Sequence, residues 1–225
     1  SFGGKVMMTS NLHGSGTERC AEVAAHFPEM EIVVNIQGDE PLVNPSQLSQ
    51  LIQAFQHEKV EIATLVSPKI DSTELNNPNR IKVVIDHEQN ALFFSRSRIP
   101  SGMFSSNYIA LKHIGLYAFR NDVLRKLVSL PATELEKSES LEQLRWLYYG
   151  YKIKTIETHI ETPNIDPAKT SSAIDIAETF FDIYTPTKFT QEPQIYAVSI
   201  WQFYLCRCNF SGRRTMSIGE ITVNI

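Results

Sequence analysis

The sequence is poor in cysteine, and its three cysteines form no recognisable metal-binding pattern. Cys20 stands far from Cys206 and Cys208, and no histidine lies near the Cys-x-Cys pair. We therefore expect unpaired thiols in a reducing compartment, the cytoplasm. The chain also lacks an apolar run long enough to span a bilayer, and its first residues lack the basic-then-apolar pattern of a signal peptide.

The sequence has no excess of positive charge either. Its 225 residues carry 21 Lys and Arg against 25 Asp and Glu, a net charge of −4. This balance gives no general electrostatic attraction for nucleic acid or for an anionic membrane, so we expect neither as a partner. An acidic substrate would have to be held by local cations. The hydrophobic content of 42% is enough for an ordinary globular core.

The chain does contain alternating strand and helix patterns, which are typical of an α/β fold. The near-continuous apolar segment 31–37 predicts a strand covered on both faces, and Asn44-Pro45 predicts the start of a helix. Further strands are predicted at 5–9, 62–66, 80–86, 91–95, 112–120 and 151–157, and helices at 17–26, 45–57, 122–128 and 135–149. The result is a mainly parallel sheet with an antiparallel insertion, the hairpin of 80–86 and 91–95. The sequence after residue 170 predicts either one extra strand pair or a poorly ordered extension.

Two adjacent carboxylates follow the strand at 31–37, within Gln37-Gly38-Asp39-Glu40-Pro41. In open α/β sheets ligands bind beyond the carboxyl ends of strands. Gly38 permits a sharp exit from the strand, and Pro41 stiffens the loop. Carboxylates on such a turn suit Mg²⁺ that is itself bound to substrate phosphates. The alternative is an acidic turn that only ends the strand.

This pentapeptide resembles the signature of the CMP-KDO synthetases, which activate the acidic eight-carbon sugar 3-deoxy-manno-octulosonate (KDO) as its CMP derivative. The likeness runs from Phe2 to about Asp166. It implies a Rossmann-like nucleotidyltransferase domain over 1–170 and an unmatched extension over 171–225. The family's first strand and its triphosphate-binding loop are missing ahead of Ser1. We therefore expect either a fragment of a longer gene product or a remodelled remnant.

The resemblance also implies the nucleotide-binding residues. Ser15-Gly16-Thr17-Glu18-Arg19 resembles the family's loop that approaches the cytidine, and it offers hydroxyls and free backbone N–H groups at a helix start. The implied nucleotide-binding residues are Ser15, Gly16, Thr17, Arg19 and Gln37. Without the resemblance, the same loop is typical of an ordinary helix N-cap.

The residues implied for the sugar acid lie in three further segments. Phe93–Pro100 resembles the family's Phe-Ser-Arg-x-x-Ile-Pro segment, although Arg98 departs from the proline often found there. On the strand predicted at 112–120, His113 and Tyr117 are four residues apart, so their side chains should lie on the same face. On the helix predicted at 135–149, the carboxylate of Glu139 and the carboxamide of Gln143 are four residues apart and should be neighbours. The implied sugar-binding residues are Arg96, His113, Tyr117, Glu139 and Gln143.

The implied reaction is attack of the KDO anomeric hydroxyl on the α-phosphorus of CTP, with diphosphate leaving. The resemblance implies a Mg²⁺ ion held by Asp39 and by a second aspartate, Asp166 on spacing or Asp175 as the alternative. It also implies a homodimer formed through the region 81–119. Two other interpretations stay open: a cytidylyltransferase for another acidic sugar such as sialic acid, and a catalytically impaired remnant that binds sugar or a partner.

Overall fold

The computed structural model describes residues 5–37, 43–105, 107–160, 196–201 and 221–224. Its strands are β1 Lys5–Met7, β2 Ile32–Gln37, β3 Ile62–Ser67, β4 Lys82–Ile85, β5 Ala91–Ser95, β6 Leu111–Arg120, β7 Ile153–Glu157, β8 Tyr196–Trp201 and β9 Ile221–Asn224. Its helices are α1 Gly16–Ala25, α2 Pro45–Gln53, α3 Ser72–Asn76, α4 Asn121–Leu127, α5 Glu134–Glu139 and α6 Gln143–Tyr148, and a 3₁₀ turn, Ala54–Gln56, follows α2.

The strands form one sheet in the order β1-β9-β8-β2-β6-β3-β7, with the β4–β5 hairpin attached to β6 through β4. Strands β2 and β8 pair in parallel, as do β3 and β7, whereas β6 runs antiparallel to both of its neighbours in this order. Consequently β1, β8, β2, β3 and β7 point one way, while β9 and β6 point the other. The predicted α/β sheet with an antiparallel insertion is confirmed.

Hydrophobic side chains cover both faces of the sheet. One cluster lies under α1, α4 and α6 and includes Val33 of β2 and Phe119 of β6. The other lies under α2 and includes Val34 and Leu116 from the same two strands. Because successive residues of a strand point to opposite faces, β2 and β6 each contribute to both clusters. This explains why segment 31–37 is apolar at nearly every position.

The prediction of a single helix at 135–149 is wrong, because the chain forms two helices there. Helix α5 begins with a capping box between Thr133 and Glu136 and ends at Ser140, which takes the left-handed conformation with φ 50°. Helix α6 then begins at Gln143. Glu139 and Gln143 therefore lie on different helices, and the i,i+4 argument for their proximity does not hold.

The tail contributes two strands to the same sheet. β8 pairs with β2 from Val33↔Tyr196 to Gln37↔Ile200, and β9 pairs with β8 and with β1. Of the two possibilities left open for the tail, the extra strand pair is the one observed. Among the helices of the described segments, none combines the length and the apolar character needed to cross a membrane.

Candidate active site

Strand β6 places His113 and Tyr117 side by side, as their spacing predicts. Their ring centroids are 5.3 Å apart, and the ring of Phe94 meets that of His113 edge-on at 5.0 Å. His113 Nε2 lies 3.0 Å from Thr64 Oγ1. Burial lowers the pKa of His113 to about 3. The imidazole is therefore neutral near pH 7, so it can form hydrogen bonds but does not act as a cation.

Tyr117 is buried at the centre of this strand and keeps its proton. Burial first, and then the nearby charge of Glu142, raise the pKa of Tyr117 well above its usual value. The neighbouring Thr64 hydroxyl acts in the opposite direction on this pKa, but within the described residues the Tyr117 hydroxyl makes no hydrogen bond of normal geometry. Tyr117 lies on the face of the sheet that α1 and α6 cover, since its ring stacks on Phe119 and meets Trp146 edge-on.

Glu142 joins the start of α1 to the start of α6, and our sequence analysis did not single it out. Its carboxylate accepts hydrogen bonds from Ser15 Oγ at 3.0 Å and from Thr17 Oγ1 at 2.5 Å. Burial raises the pKa of Glu142, and the two hydroxyl groups partly offset this effect. The contact spans more than a hundred residues of sequence, so no local pattern could have signalled it. It fixes the loop implied for the nucleotide against α6.

The start of α1 is organised as an N-cap. Ser15 Oγ accepts a hydrogen bond from the backbone N–H of Glu18, and Gly16 is the first helical residue. The Arg19 side chain is buried and donates to Thr9 Oγ1 and to the Ser10 carbonyl, both at 2.9 Å. Arg19 thus holds the preceding loop. Gln37 is exposed at the carboxyl end of β2.

Arg96 and Glu139 form a hydrogen-bonded clamp between the end of β5 and the end of α5. The Glu139 carboxylate accepts from Ser95 Oγ at 2.9 Å and from the Arg96 backbone N–H at 2.8 Å. The Arg96 guanidinium donates to the carbonyl oxygens of Pro78, Glu139 and Ser140. In this arrangement Glu139 orders the backbone that carries Arg96, and the guanidinium is held by carbonyl oxygens.

A buried lysine, Lys82, supports the same clamp and was also missed from the sequence. Its Nζ donates to the carbonyl oxygens of Asn77, Arg80 and Arg96 at 3.0, 2.6 and 2.5 Å. Burial lowers the pKa of Lys82, while the charge of Glu139 acts in the opposite direction. Lysine is seldom fully buried, so a lysine in a strand is normally interpreted as exposed to solvent. The sequence pattern therefore did not predict the burial of Lys82.

The remaining predicted site residues are not brought together by the described structure. Gln143 is buried at the start of α6. Asp39, Asp166 and Asp175 lie outside the described residues. In the segments that are described, no group of three or more histidine, cysteine, aspartate or glutamate side chains is arranged to hold a metal ion.

The fold and this site define a nucleotidyltransferase-like α/β protein, and comparison with known proteins identifies the class. The sequence model of the cytidylyltransferase family matches residues 1–156. The chain therefore belongs to the cytidylyltransferase family.

Individual relatives show which members of the family the chain resembles. A 3-deoxy-manno-octulosonate cytidylyltransferase of Porphyromonas gingivalis is 47% identical over 175 residues, covering 73% of this chain and 69% of the relative. One from Bacteroides thetaiotaomicron is 47% identical over 179 residues, covering 74% and 70%. An 8-amino-3,8-dideoxy-manno-octulosonate cytidylyltransferase of Shewanella pealeana is 42% identical over 170 residues, covering 74% and 69%. The resemblance to the CMP-KDO synthetases is confirmed.

A solved structure agrees with this likeness. The structure of a CMP:2-keto-3-deoxy-manno-octonic acid synthetase complexed with CTP superimposes with a TM-score of 0.71 at 39% identity. The match covers 80% of this chain and 73% of that chain. The likeness therefore extends over most of the α/β fold.

Proposed function

We propose that the chain transfers the cytidylyl group of CTP to KDO, giving CMP-KDO and diphosphate for lipopolysaccharide biosynthesis. The observation that carries the proposal is the structural likeness to a synthetase complexed with CTP, at a TM-score of 0.71. The 47% identity to 3-deoxy-manno-octulosonate cytidylyltransferases supports KDO as the sugar. Since CTP belongs to the cytoplasmic nucleotide pool, and since Cys20 is a free buried thiol, we assign the enzyme to the cytoplasm.

In this reaction the protein binds and orients two substrates. The KDO anomeric hydroxyl attacks the α-phosphorus of CTP, a new P–O bond forms, and the bond to diphosphate breaks. Orienting this weak nucleophile close to phosphorus is the main contribution that side chains can make. His113 and Tyr117 are neutral hydrogen-bonding groups on β6, suited to sugar hydroxyls. Arg96 supplies the cation for the sugar carboxylate and must exchange carbonyl contacts to do so.

The nucleotide side of the site begins at the ends of α1 and β2. Ser15, Gly16 and Thr17 stand at the first turn of α1, and Gln37 ends β2. Ligands in such folds bind beyond the carboxyl ends of strands, and Asp39 follows the end of β2 by two residues of sequence. Together with Asp166, or Asp175 as the alternative, it would hold Mg²⁺, which neutralises phosphate charge when bound.

Turnover of the full chain with CTP, KDO and Mg²⁺ tests the proposal. We expect diphosphate release together with CMP-KDO. Asp39→Asn should keep the circular dichroism spectrum and lose nearly all turnover, because the near-isosteric amide lacks the charge that the metal requires. Unchanged turnover of Asp39→Asn at saturating Mg²⁺ would remove Asp39 from the metal site. Binding of KDO without any turnover by the wild type would favour the catalytically impaired remnant.

A second sugar is a candidate substrate because of the activity named for two relatives. Two relatives, from Shewanella pealeana and Shewanella frigidimarina, are 8-amino-3,8-dideoxy-manno-octulosonate cytidylyltransferases and are each 42% identical to this chain. That sugar differs from KDO at carbon 8, where an amine replaces a hydroxyl. A panel of KDO, the 8-amino sugar and sialic acid, compared by kcat/KM, separates the three. We expect KDO to give the largest value.

We also propose that the chain forms a homodimer through the region 81–119. Large apolar side chains are exposed in and beside the loop that joins β5 to β6, and two tyrosines are exposed at the end of α6. Exposed apolar surface of this kind is typical of protein interfaces. The residues concerned are Leu92, Met103, Phe104, Tyr108, Ile109, Tyr148 and Tyr149.

Light scattering of the full chain at micromolar concentration tests the dimer. Phe104 is 94% exposed, so Phe104→Asp should leave the fold intact and yield a monomer. Leu12 is 88% exposed and lies outside the proposed interface, so Leu12→Asp is the matched control and should stay dimeric. A wild type that is monodisperse and monomeric would contradict the interface.

A further inference from the structure

Buried polar atoms without partners are concentrated at one place beneath the proposed sugar site. Across the described segments, six buried side-chain nitrogen or oxygen atoms lack a hydrogen-bond partner. Four of the six belong to Asn35, Tyr117 and Trp146: both amide atoms, the hydroxyl and the indole N–H. Folded proteins pair nearly all of their buried polar groups, so a cluster of unpaired ones calls for an explanation.

Sheet register places these groups next to each other. Asn35 of β2 stands directly opposite Tyr117 of β6, and Thr64 of β3 stands opposite Tyr117 on its other side. Residues directly opposite each other in an antiparallel pair carry neighbouring side chains on one face. The Trp146 ring of α6 meets the Tyr117 ring edge-on, with 5.2 Å between centroids. Asn35 and Trp146 are therefore both neighbours of Tyr117, and we name the place where these three buried side chains meet the Asn35 pocket.

The electrostatics of the Asn35 pocket favour a neutral ligand group over an anion. Asn35 is 1% exposed and can both donate and accept hydrogen bonds, whereas the Trp146 N–H only donates. The charge of Glu142 acts on Tyr117 and helps to raise its pKa, so a carboxylate entering here would be repelled. A hydroxyl group both donates and accepts, and it matches these partners without adding charge.

We propose that Asn35 is a specificity-determining residue whose amide, with the Tyr117 hydroxyl and the Trp146 N–H, receives a hydroxyl group of the substrate sugar. The inference rests on the proposed function, because it takes a polyhydroxylated sugar acid as the ligand. It adds to the sugar-binding residues a side chain from β2, the strand that also leads to Gln37 and the nucleotide side. Asn35 thereby links the two halves of the site through one strand.

Asn35→Leu is the decisive variant, because a structural and a binding role predict opposite results. Leucine has the same branched arrangement of side-chain heavy atoms as asparagine, with two larger methyl groups in place of the polar atoms. If the amide has no ligand, removing two unpaired groups should preserve or raise stability and leave binding unchanged. If the amide binds the sugar, the dissociation constant for KDO should rise roughly tenfold or more, while that for CTP stays the same. Isothermal titration of the full chain with each substrate measures both constants.

Asn121→Leu is the matched control, because Asn121 is a buried asparagine with a structural role. Its Nδ2 donates to the carbonyl oxygens of Ala24, Phe27 and Met30. We expect Asn121→Leu to lower the melting temperature and to leave both dissociation constants unchanged in the folded fraction. If Asn35→Leu fails to fold, Trp146→Phe takes its place, since it removes the indole N–H from the Asn35 pocket and should weaken KDO binding selectively.

Deoxy analogues of KDO identify the hydroxyl concerned. The analogue that lacks this hydroxyl should bind the wild type more weakly than KDO does. Asn35→Leu should bind that analogue and KDO with the same affinity. An unchanged KDO dissociation constant in Asn35→Leu, or in Trp146→Phe where that variant is used, would overturn the pocket and leave only ordered water there. Failure of the wild type to bind KDO would overturn the proposed function as well, so the two failures are distinguishable.

Discussion

At the scale of single residues, burial decides the chemistry of the site more than residue identity does. His113 is neutral near pH 7 because burial disfavours its charged form, and burial raises the pKa of Tyr117 well above a value that already keeps its proton in place. Glu142 keeps a raised pKa for the same reason, although two hydroxyl groups donate to it. The side chains on β6 are therefore hydrogen-bonding groups, and the cation for an acidic sugar must come from elsewhere, which is the role proposed for Arg96.

The depressed pKa of His113 predicts acid sensitivity. In the unfolded chain the imidazole regains its usual pKa of about 6.5, so below that pH the unfolded state binds the proton more readily than the folded state does. The stability from neutral His113 is fully present above pH 6.5 and is lost as pH falls toward 3. Between pH 7 and 5.5 the loss should be about 1 kcal/mol.

Urea denaturation at these two pH values measures this loss. His113→Gln removes the titrating group and should show a smaller loss than the wild type. His87→Gln changes an exposed histidine and serves as the control, with a loss like that of the wild type. Equal losses in the wild type and His113→Gln would contradict a neutral, buried His113.

At the scale of secondary-structure elements, local capping signals were reliable where side chains form the caps. The Asn44-Pro45 start of α2 is confirmed, with a capping box that joins Asn44 to Gln47. The break between α5 and α6 was missed, because the apolar residues Leu141 and Leu144 continue the helical pattern and no glycine marks the left-handed residue. Tertiary contacts, including the hydrogen bond from Arg96 to the Ser140 carbonyl, hold that turn.

The left-handed conformation of Ser140 leads to a second prediction. Glycine adopts this conformation without the steric cost that other residues pay, so Ser140→Gly should stabilise the fold by about 1 kcal/mol. Ser140→Ala carries the same cost as serine and is the control, with little change expected. Denaturant titration compares the free energies of unfolding. Equal stability of the glycine and alanine variants would mean that the left-handed turn is absent in solution.

At the scale of the whole molecule, the tail strand β8 completes the sheet beside β2. Without it, the β2 edge that faces β8 would present unpaired N–H and C=O groups, which are costly to bury and prone to aggregation. β9 then joins β8 to β1. Segments from the two ends of the described sequence thus depend on each other for their backbone hydrogen bonds.

Val198→Pro tests this dependence. Val198 pairs with Asn35 of β2 on one side and with Asn224 of β9 on the other, so losing its N–H breaks a ladder hydrogen bond whichever neighbour receives it. We expect a loss of at least about 1 kcal/mol of stability and faster hydrogen exchange of the β2 amides. Val198→Ala keeps the N–H and is the control. Unchanged β2 exchange in Val198→Pro would contradict the pairing.

The sequence by itself determined the features that depend on neighbours along the chain. Strand β2, the β4–β5 hairpin, the N-cap of α2 and the shared face of His113 and Tyr117 all follow from short-range periodicity and local hydrogen bonding. The tertiary structure alone decided that Glu142 receives the hydroxyl groups of Ser15 and Thr17, that Lys82 is buried among three carbonyl oxygens, and that Asn35 stands opposite Tyr117. Burial and pairing across long stretches of sequence set these features, and no local pattern carries that information.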